Sequence, residues 1–239
     1  MTDAFATDPF ALIAATWPPA ETRRLGPWTL RRGAGGGSRV SAATLEGDFG
    51  GLEAAEAAMR DWGQRPQVMI RPGETALDDE LAARGWALSQ ASTILAGPAA
   101  ALAPESRDER AIDCDGPLAC MTALWEAGGI GAGRRAVMER VQGPRTWLLG
   151  RTDHRPVACA FAALDGDAAM IHALEVSAEA RRAGHGARLT RAAAAWARDR
   201  GANVLALVVT DANAGARTLY DRLGLRETAR YHYRVAPQG

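Results

Sequence analysis

Apolar residues fall in short runs separated by breaks rich in glycine and proline, and the spacing inside each run predicts its type. Residues 1–16 read as a short amphipathic helix stopped by Trp17, Pro18 and Pro19. Trp28 to Arg32 reads as a strand, Ala34 to Ser38 as a flexible turn, and Arg39 to Leu45 as the partner strand. Helical spacing covers Leu52 to Trp62 and Leu77 to Arg84, with Gly63 and Gly85 as stops. Gln67 to Ile70 and Trp86 to Leu95 read as extended. The stretch from Pro98 to Glu105 changes composition abruptly between prolines and is the best linker candidate. Beyond it, helices are predicted over Pro117 to Gly128 and Arg134 to Val141, separated by the glycine-rich loop Gly128–Gly133. Hairpin strands follow at Thr146 to Gly150, Val157 to Leu164 and Ala168 to Val176. A helix over Gly186 to Arg200, the apolar run Val204 to Val209, a helix over Asn213 to Leu223 and a strand over Arg226 to Val235 complete the chain. The run at Val204 is apolar almost throughout, as in a strand buried on both faces.

Residues 171–220 are the most informative part of this pattern. A strand ends at Leu174, Glu175 and Val176, turns through Arg181, Arg182, Ala183, Gly184, His185 and Gly186, and opens a long alanine-rich helix. Such a junction suits an anion, because free backbone N–H groups and about half a positive charge from the helix dipole face outward there. Two glycines allow a phosphate to approach the main chain closely. The arginines add charge-assisted contacts or orient the turn. No Gly-Lys-Ser/Thr element of a Walker loop is present, and neither is a Rossmann GxGxxG fingerprint.

Composition narrows the field. The 239 residues are 47% hydrophobic and 23% charged with zero formal charge, which gives no reason to expect nucleic acid or an anionic membrane as partner. All 28 basic residues are arginine, so a lysine nucleophile is excluded. Cys114, Cys120 and Cys159 form no even framework, and they and the four histidines lack metal-ligand spacing. The expectation is a reduced, cytoplasmic chain, monomer or homodimer, without a metal and without a membrane segment. Cys159 is expected to be buried and inert.

With these residues in place, the chain resembles the GNAT superfamily of acetyl-CoA-dependent N-acetyltransferases over about residues 106–235. The family's first signature is Arg or Gln, two variable residues, Gly, a variable residue, then Gly or Ala; here it is Arg181 to Gly186. The second is an Asn after the next strand, then Ala and a residue-Tyr pair, here Asn213, Ala216, Leu219 and Tyr220. The resemblance implies an α/β (α+β) fold: a mixed, mostly antiparallel central sheet flanked by helices, splayed between the family's strands 4 and 5. It further implies acetyl-CoA as co-substrate, its diphosphate on the backbone from Arg182 to Ala187 and its pantetheine arm along Leu174 and Val176. Asn213 either bonds the coenzyme or caps the last helix. His185 is expected beside the coenzyme.

The same resemblance makes Tyr220 the acid that protonates the departing thiolate. Glu175 and His172 both remain candidates for the base. Strict alternation puts Glu175 on the opposite face from His172 unless a bulge intervenes. Trp125 and Trp147 are candidates for the acceptor pocket, which the N-terminal half and the Gly128–Gly133 loop are expected to shape.

One internal echo stands out. Glu80 to Ser89 repeats the helix–Gly–strand pattern of Tyr220 to Thr228, with Leu81 opposite Tyr220 when the glycines Gly85 and Gly224 are aligned. This suggests a tandem: a degenerate N-terminal copy at 1–100 and a complete domain at 101–239, with chance agreement as the competing account. The expected function is acetyl transfer to a primary amine by direct attack in a ternary complex. The alternative is a catalytically silent acyl-CoA-binding or regulatory module.

Overall fold

A computed structural model describes residues 7–238, so the start of the helix expected over 1–16 lies outside the described residues. Helix α1 (Pro9–Thr16) begins where the Asp8 carboxylate accepts the Phe10 N–H and proline occupies the first turn. The hairpin β1 (Glu21–Leu25) and β2 (Trp28–Arg32) follows, then β3 (Thr44–Leu45), α2 (Leu52–Asp61), β4 (Gln67–Ile70), α3 (Thr75–Ala83) and β5 (Ala87–Pro98). A single helical turn, α4 (Ala99–Leu102), leads to β6 (Ala111–Cys114), α5 (Ala119–Ala127), α6 (Ala132–Arg140), β7 (Arg145–Thr152), β8 (Arg155–Asp165) and β9 (Ala168–Val176). The chain closes with α7 (His185–Arg198), β10 (Val204–Thr210), α8 (Ala214–Arg222) and β11 (Arg226–Val235). Among the described residues no helix is long and apolar enough to cross a membrane.

Three expectations are corrected. The main partner of β2 is β1, a polar strand without alternation, whereas Arg39 to Leu45 supplies only a 3-10 turn and the two residues of β3. The edge strand β6 was not anticipated; its Ile112 is exposed, so burial left no pattern. The supposed linker is α4, with Ala99 and Leu102 buried and the Ala99 N–H bonded to the carbonyl of Asn203.

The large sheet runs β4-β11-β5-β10-β9-β8-β7-β6, and β1-β2-β3 joins it through a parallel bridge between Ala43 and Val68. Within the large sheet only β9 and β10 are parallel. In this order β5 lies between β10 and β11, and β11 lies between β4 and β5. The helix–Gly–strand echo is matched bond for bond. Gly85 and Trp86 donate to Ala82 and Leu81, and Gly224 and Leu225 donate to Asp221 and Tyr220, the same paired closure of a helix by a left-handed glycine. Helix α7 buries an alanine-rich stripe, with Leu189 and Trp196, on one face of β7 to β10; α5 and α6 cover the other with Met121, Trp125, Val137 and Met138.

Candidate active site

Register between β9 and β10 ends at Ile171 opposite Leu207, yet β9 runs on to Val176 and β10 to Thr210. The two strands therefore part, leaving a wedge between their C-terminal ends. Ser177 donates to Val157 on the β8 side, so alternation turns the main-chain groups of Val176 and Leu174 toward the open edge.

Strict alternation fails within β9. Cys159 pairs with Glu175 but Phe161 pairs with His172, so β9 carries one extra residue. Ala173 absorbs it at φ +49°, and its carbonyl accepts the indole N–H of the buried Trp125 at 2.8 Å. This bulge brings Glu175 to the same face as His172.

The two base candidates meet different surroundings. His172 is almost fully buried, stacked on Trp17 with ring centroids 4.8 Å apart. Its Nδ1 faces the Arg39 guanidinium at 3.2 Å and its Nε2 lies 3.0 Å from the Thr16 hydroxyl, which itself donates to Leu12. Since arginine can only donate, Nδ1 accepts and Nε2 carries the proton, which leaves no lone pair for a substrate. Burial, reinforced by the Arg39 charge, holds the ring neutral, well below the usual histidine range. The structure gives His172 a packing role and so corrects its reading as a base. Glu175 is less enclosed. Its carboxylate rests against Gly128, where a Cβ would lie 2.6 Å from Oε2, and Oε1 accepts from Arg181 at 3.2 Å.

Beyond Val176 the chain makes a 3-10 turn at Ala178–Ala180, and Arg182 and Gly184 adopt left-handed conformations at φ +62° and +83°. Arg181 returns to the Val176 carbonyl and clamps the turn. Gly184 caps α7 without a side chain, and the first turn of α7 holds no acidic residue. The backbone N–H groups of Gly184, His185, Gly186 and Ala187 have no acceptor among the described residues, so a group of donors at a helix start points outward. The His185 ring is spent elsewhere, between the Thr152 hydroxyl at 3.0 Å and Arg188 at 2.9 Å; burial and then Arg188 lower its pKa.

Asn213 caps α8, its side-chain oxygen accepting the Ala216 N–H at 3.1 Å. Tyr220 lies in the core shared with Leu174, Val176 and Leu219, and burial pushes its phenol up to about 12. Its hydroxyl has no hydrogen-bond partner among the described side chains. A Cβ on Gly186 would approach Leu219 to 2.9 Å, so the glycine admits α8 against the start of α7. The buried Cys159 thiol is raised by desolvation, in keeping with an inert packing residue.

The pocket on the opposite side of the sheet differs from expectation. Trp125 and Trp147 are buried core residues, the latter edge-on to Phe161. A cavity of about 200 Å³ beside the bulge is lined instead by Trp17, Arg39, Arg134, Ala173, Tyr231 and Tyr233, among others. Gly37 and Ile130 bring the N-terminal loop and the Gly128–Gly133 loop to its wall, and Gly133 packs directly on Gly35. Sequence reasoning missed Arg39 and Trp17 because one sat in an expected strand and the other at an expected helix stop.

The comparisons agree with this geometry. Residues 117–225 match the model of the acetyltransferase (GNAT) family. A GCN5-related N-acetyltransferase from Kribbella flavida superposes with a TM-score of 0.72 at 19% identity over 96% of this chain and 95% of that one. A GNAT-family acetyltransferase described as putative, from Novosphingobium aromaticivorans, gives 0.58 at 20% identity over 91% and 92%. A tandem GNAT protein from the clavulanic acid biosynthesis pathway gives 0.60 at 13% identity over 96% and 88%. No curated protein matches the sequence. The splayed β9–β10 pair and the glycine turn both fall within residues 117–225, the segment that matches the GNAT acetyltransferase family.

Proposed function

We propose that the chain transfers an acetyl group from acetyl-CoA to a primary amine by direct attack in a ternary complex. The observation that carries this reading is the row of unpartnered N–H groups from Gly184 to Ala187, with Tyr220 in the core against which Leu174 and Val176 of the diverging strand pack. The co-substrate supplies the thioester carbonyl that the amine attacks. The turn binds the diphosphate, with Arg181 and Arg182 adding positive charge. Main-chain groups of Leu174 and Val176 orient the pantetheine arm, and an N–H of this edge faces the carbonyl oxygen as charge develops on it. Glu175 accepts the proton that the amine loses as the N–C bond forms. The Tyr220 phenol, fully protonated near neutral pH, donates first a hydrogen bond and then its proton to sulfur as the C–S bond breaks. Asn213 serves by fixing α8, and through it Tyr220.

The same reading takes residues 1–100 as a degenerate copy of the domain at 101–239, each half supplying the other's missing strand. The reading is tested by thiol release from acetyl-CoA against an amine panel, beside calorimetry with coenzyme A. Tyr220→Phe and Glu175→Gln should each lower kcat by about 10²–10⁴-fold with coenzyme affinity retained. If coenzyme A binds but no amine stimulates turnover, the chain is a silent acyl-CoA-binding module.

A further inference from the structure

Arginine is the only strong cation in this chain, and in two other cavities most of its guanidinium groups are matched by carboxylates. Along α7 runs a groove of about 620 Å³ in which Arg107 pairs with Asp113 and Asp199, while Arg110 and Arg188 share Asp108. Beside β4 a cavity of about 350 Å³ holds Arg71, paired with Glu46 and Glu74, and Arg230, paired with Glu227. The 200 Å³ cavity at the β9 bulge contrasts with these two. Arg39 and Arg134 line it, no Asp or Glu does, and neither guanidinium joins an ion pair among the described residues. The Nε of Arg39 is buried without a partner among the described residues, and its Nη1 meets the histidine ring nitrogen already described. A partly desolvated guanidinium left unmatched is costly, and a second cation beside it raises that cost.

Resting on the acyl-transfer reading, we infer that this cavity receives an anionic group of the acceptor, which is a small primary amine carrying a carboxylate or phosphate. Position supports this. Ala173 and Thr210 on the cavity wall belong to the two strands at the point where they separate. Glu175 stands two residues beyond Ala173, roughly 6–7 Å along a strand. An anion held by Arg39 and Arg134 thus leaves an amine, a few carbons away, within reach of Glu175. Size supports it too: about 200 Å³ falls below the roughly 300–1,000 Å³ of drug-sized pockets. Tyr231 and Tyr233 add hydroxyl groups to a wall otherwise free of acceptor charge. A lysine side chain on a protein surface would bring no anion to this place.

The test compares matched acceptors: 4-aminobutanoate against butylamine, and 2-aminoethyl phosphate against ethanolamine. At least one anionic member should show kcat/KM tenfold or more above its neutral counterpart, and the pair that does so identifies carboxylate or phosphate. Arg134→Gln should reduce that ratio about tenfold, through KM rather than kcat. Because Arg39 touches the buried His172, Arg134 carries the kinetic test. Calorimetry of the coenzyme A complex with butanoate and with inorganic phosphate supplies a readout independent of turnover; one of them should bind, and Arg134→Gln should abolish that binding. Equal or better use of the neutral amines overturns the inference, as does an unchanged ratio in Arg134→Gln. If no amine reacts, the function reading fails separately. Anion binding lost in Arg134→Gln would then still support the cavity assignment, and its absence would overturn it.

Discussion

Two strand-to-helix junctions occupy corresponding places in the two halves, and they differ in charge more than in backbone. In the C-terminal half β9 enters α7 through Gly184, left-handed at φ +83° and without a side-chain cap. In the N-terminal half β3 enters α2 through Gly51, left-handed at φ +65° and also uncapped by a side chain. Around the first lie Arg181 and Arg182, with no acid in the opening turn of the helix. Around the second lie Glu46 and Asp48, and Glu53 fills the opening turn. The Glu53 carboxyl accepts its own backbone N–H and an Arg84 contact, which hold it below the usual carboxylate range. Phe49 packs edge-on to Trp28, and the Trp28 indole ties down the Gly50 carbonyl at 2.6 Å. Both helices open on a left-handed glycine without a side-chain cap, but only the first turn of α7 is free of acidic residues.

A parallel contrast exists at the next helix. Leu81 and Tyr220 hold the same position in the same hydrogen-bonded closure; one is a fully buried packing residue, and the other carries a hydroxyl without a partner. Leu81→Ala should therefore cost about 2–5 kcal/mol of stability, read by denaturant unfolding, as for a buried large-to-small change. Tyr220→Phe should cost far less stability while removing turnover. Equal stability losses would dissolve the contrast.

Charge reversal probes the junctions themselves. Arg181→Glu together with Arg182→Glu should weaken coenzyme A binding by about tenfold or more in calorimetry, with a steep salt dependence. Asp48→Arg should leave that affinity unchanged. A comparable loss from both would mean that the two turns are not functionally distinct.

The smallest expected effect is a pH dependence of stability. His172 and His185 are both depressed by burial, so in the range between their folded values and about 6.5 the unfolded chain binds more protons than the folded one. Stability is complete above about 6.5 and declines as pH falls, by up to about 1.4 kcal/mol per pH unit for each histidine. His172→Gln should flatten that slope while lowering stability at neutral pH. A slope unaltered by the substitution would place the titrating group elsewhere.

Much of this was legible along the chain. The glycine turn, the α7 stripe, the apolar run of β10 and the Asn213 cap all follow from periodicity and local capping, which act within a few residues. The polar strand β1 and the edge strand β6 were not legible, because neither buries a face that would imprint alternation. Packing of α4 was missed because an alanine-rich segment between prolines reads equally as a linker or as a small helix against a crowded neighbour.

Sequence alone thus determined the glycine turn that opens α7, most of the succession of elements and the Asn213 cap of α8. Tertiary structure decided which strands pair, that a bulge at Ala173 carries Glu175 to the His172 face, and that His172 is consumed by Thr16 and Arg39. It also decided that Arg39 and Arg134, 95 residues apart in number, share one cavity without a carboxylate. The reason is physical: capping and periodicity are local free energies, whereas pairing, bulge register and charge compensation depend on neighbours brought together only by the fold.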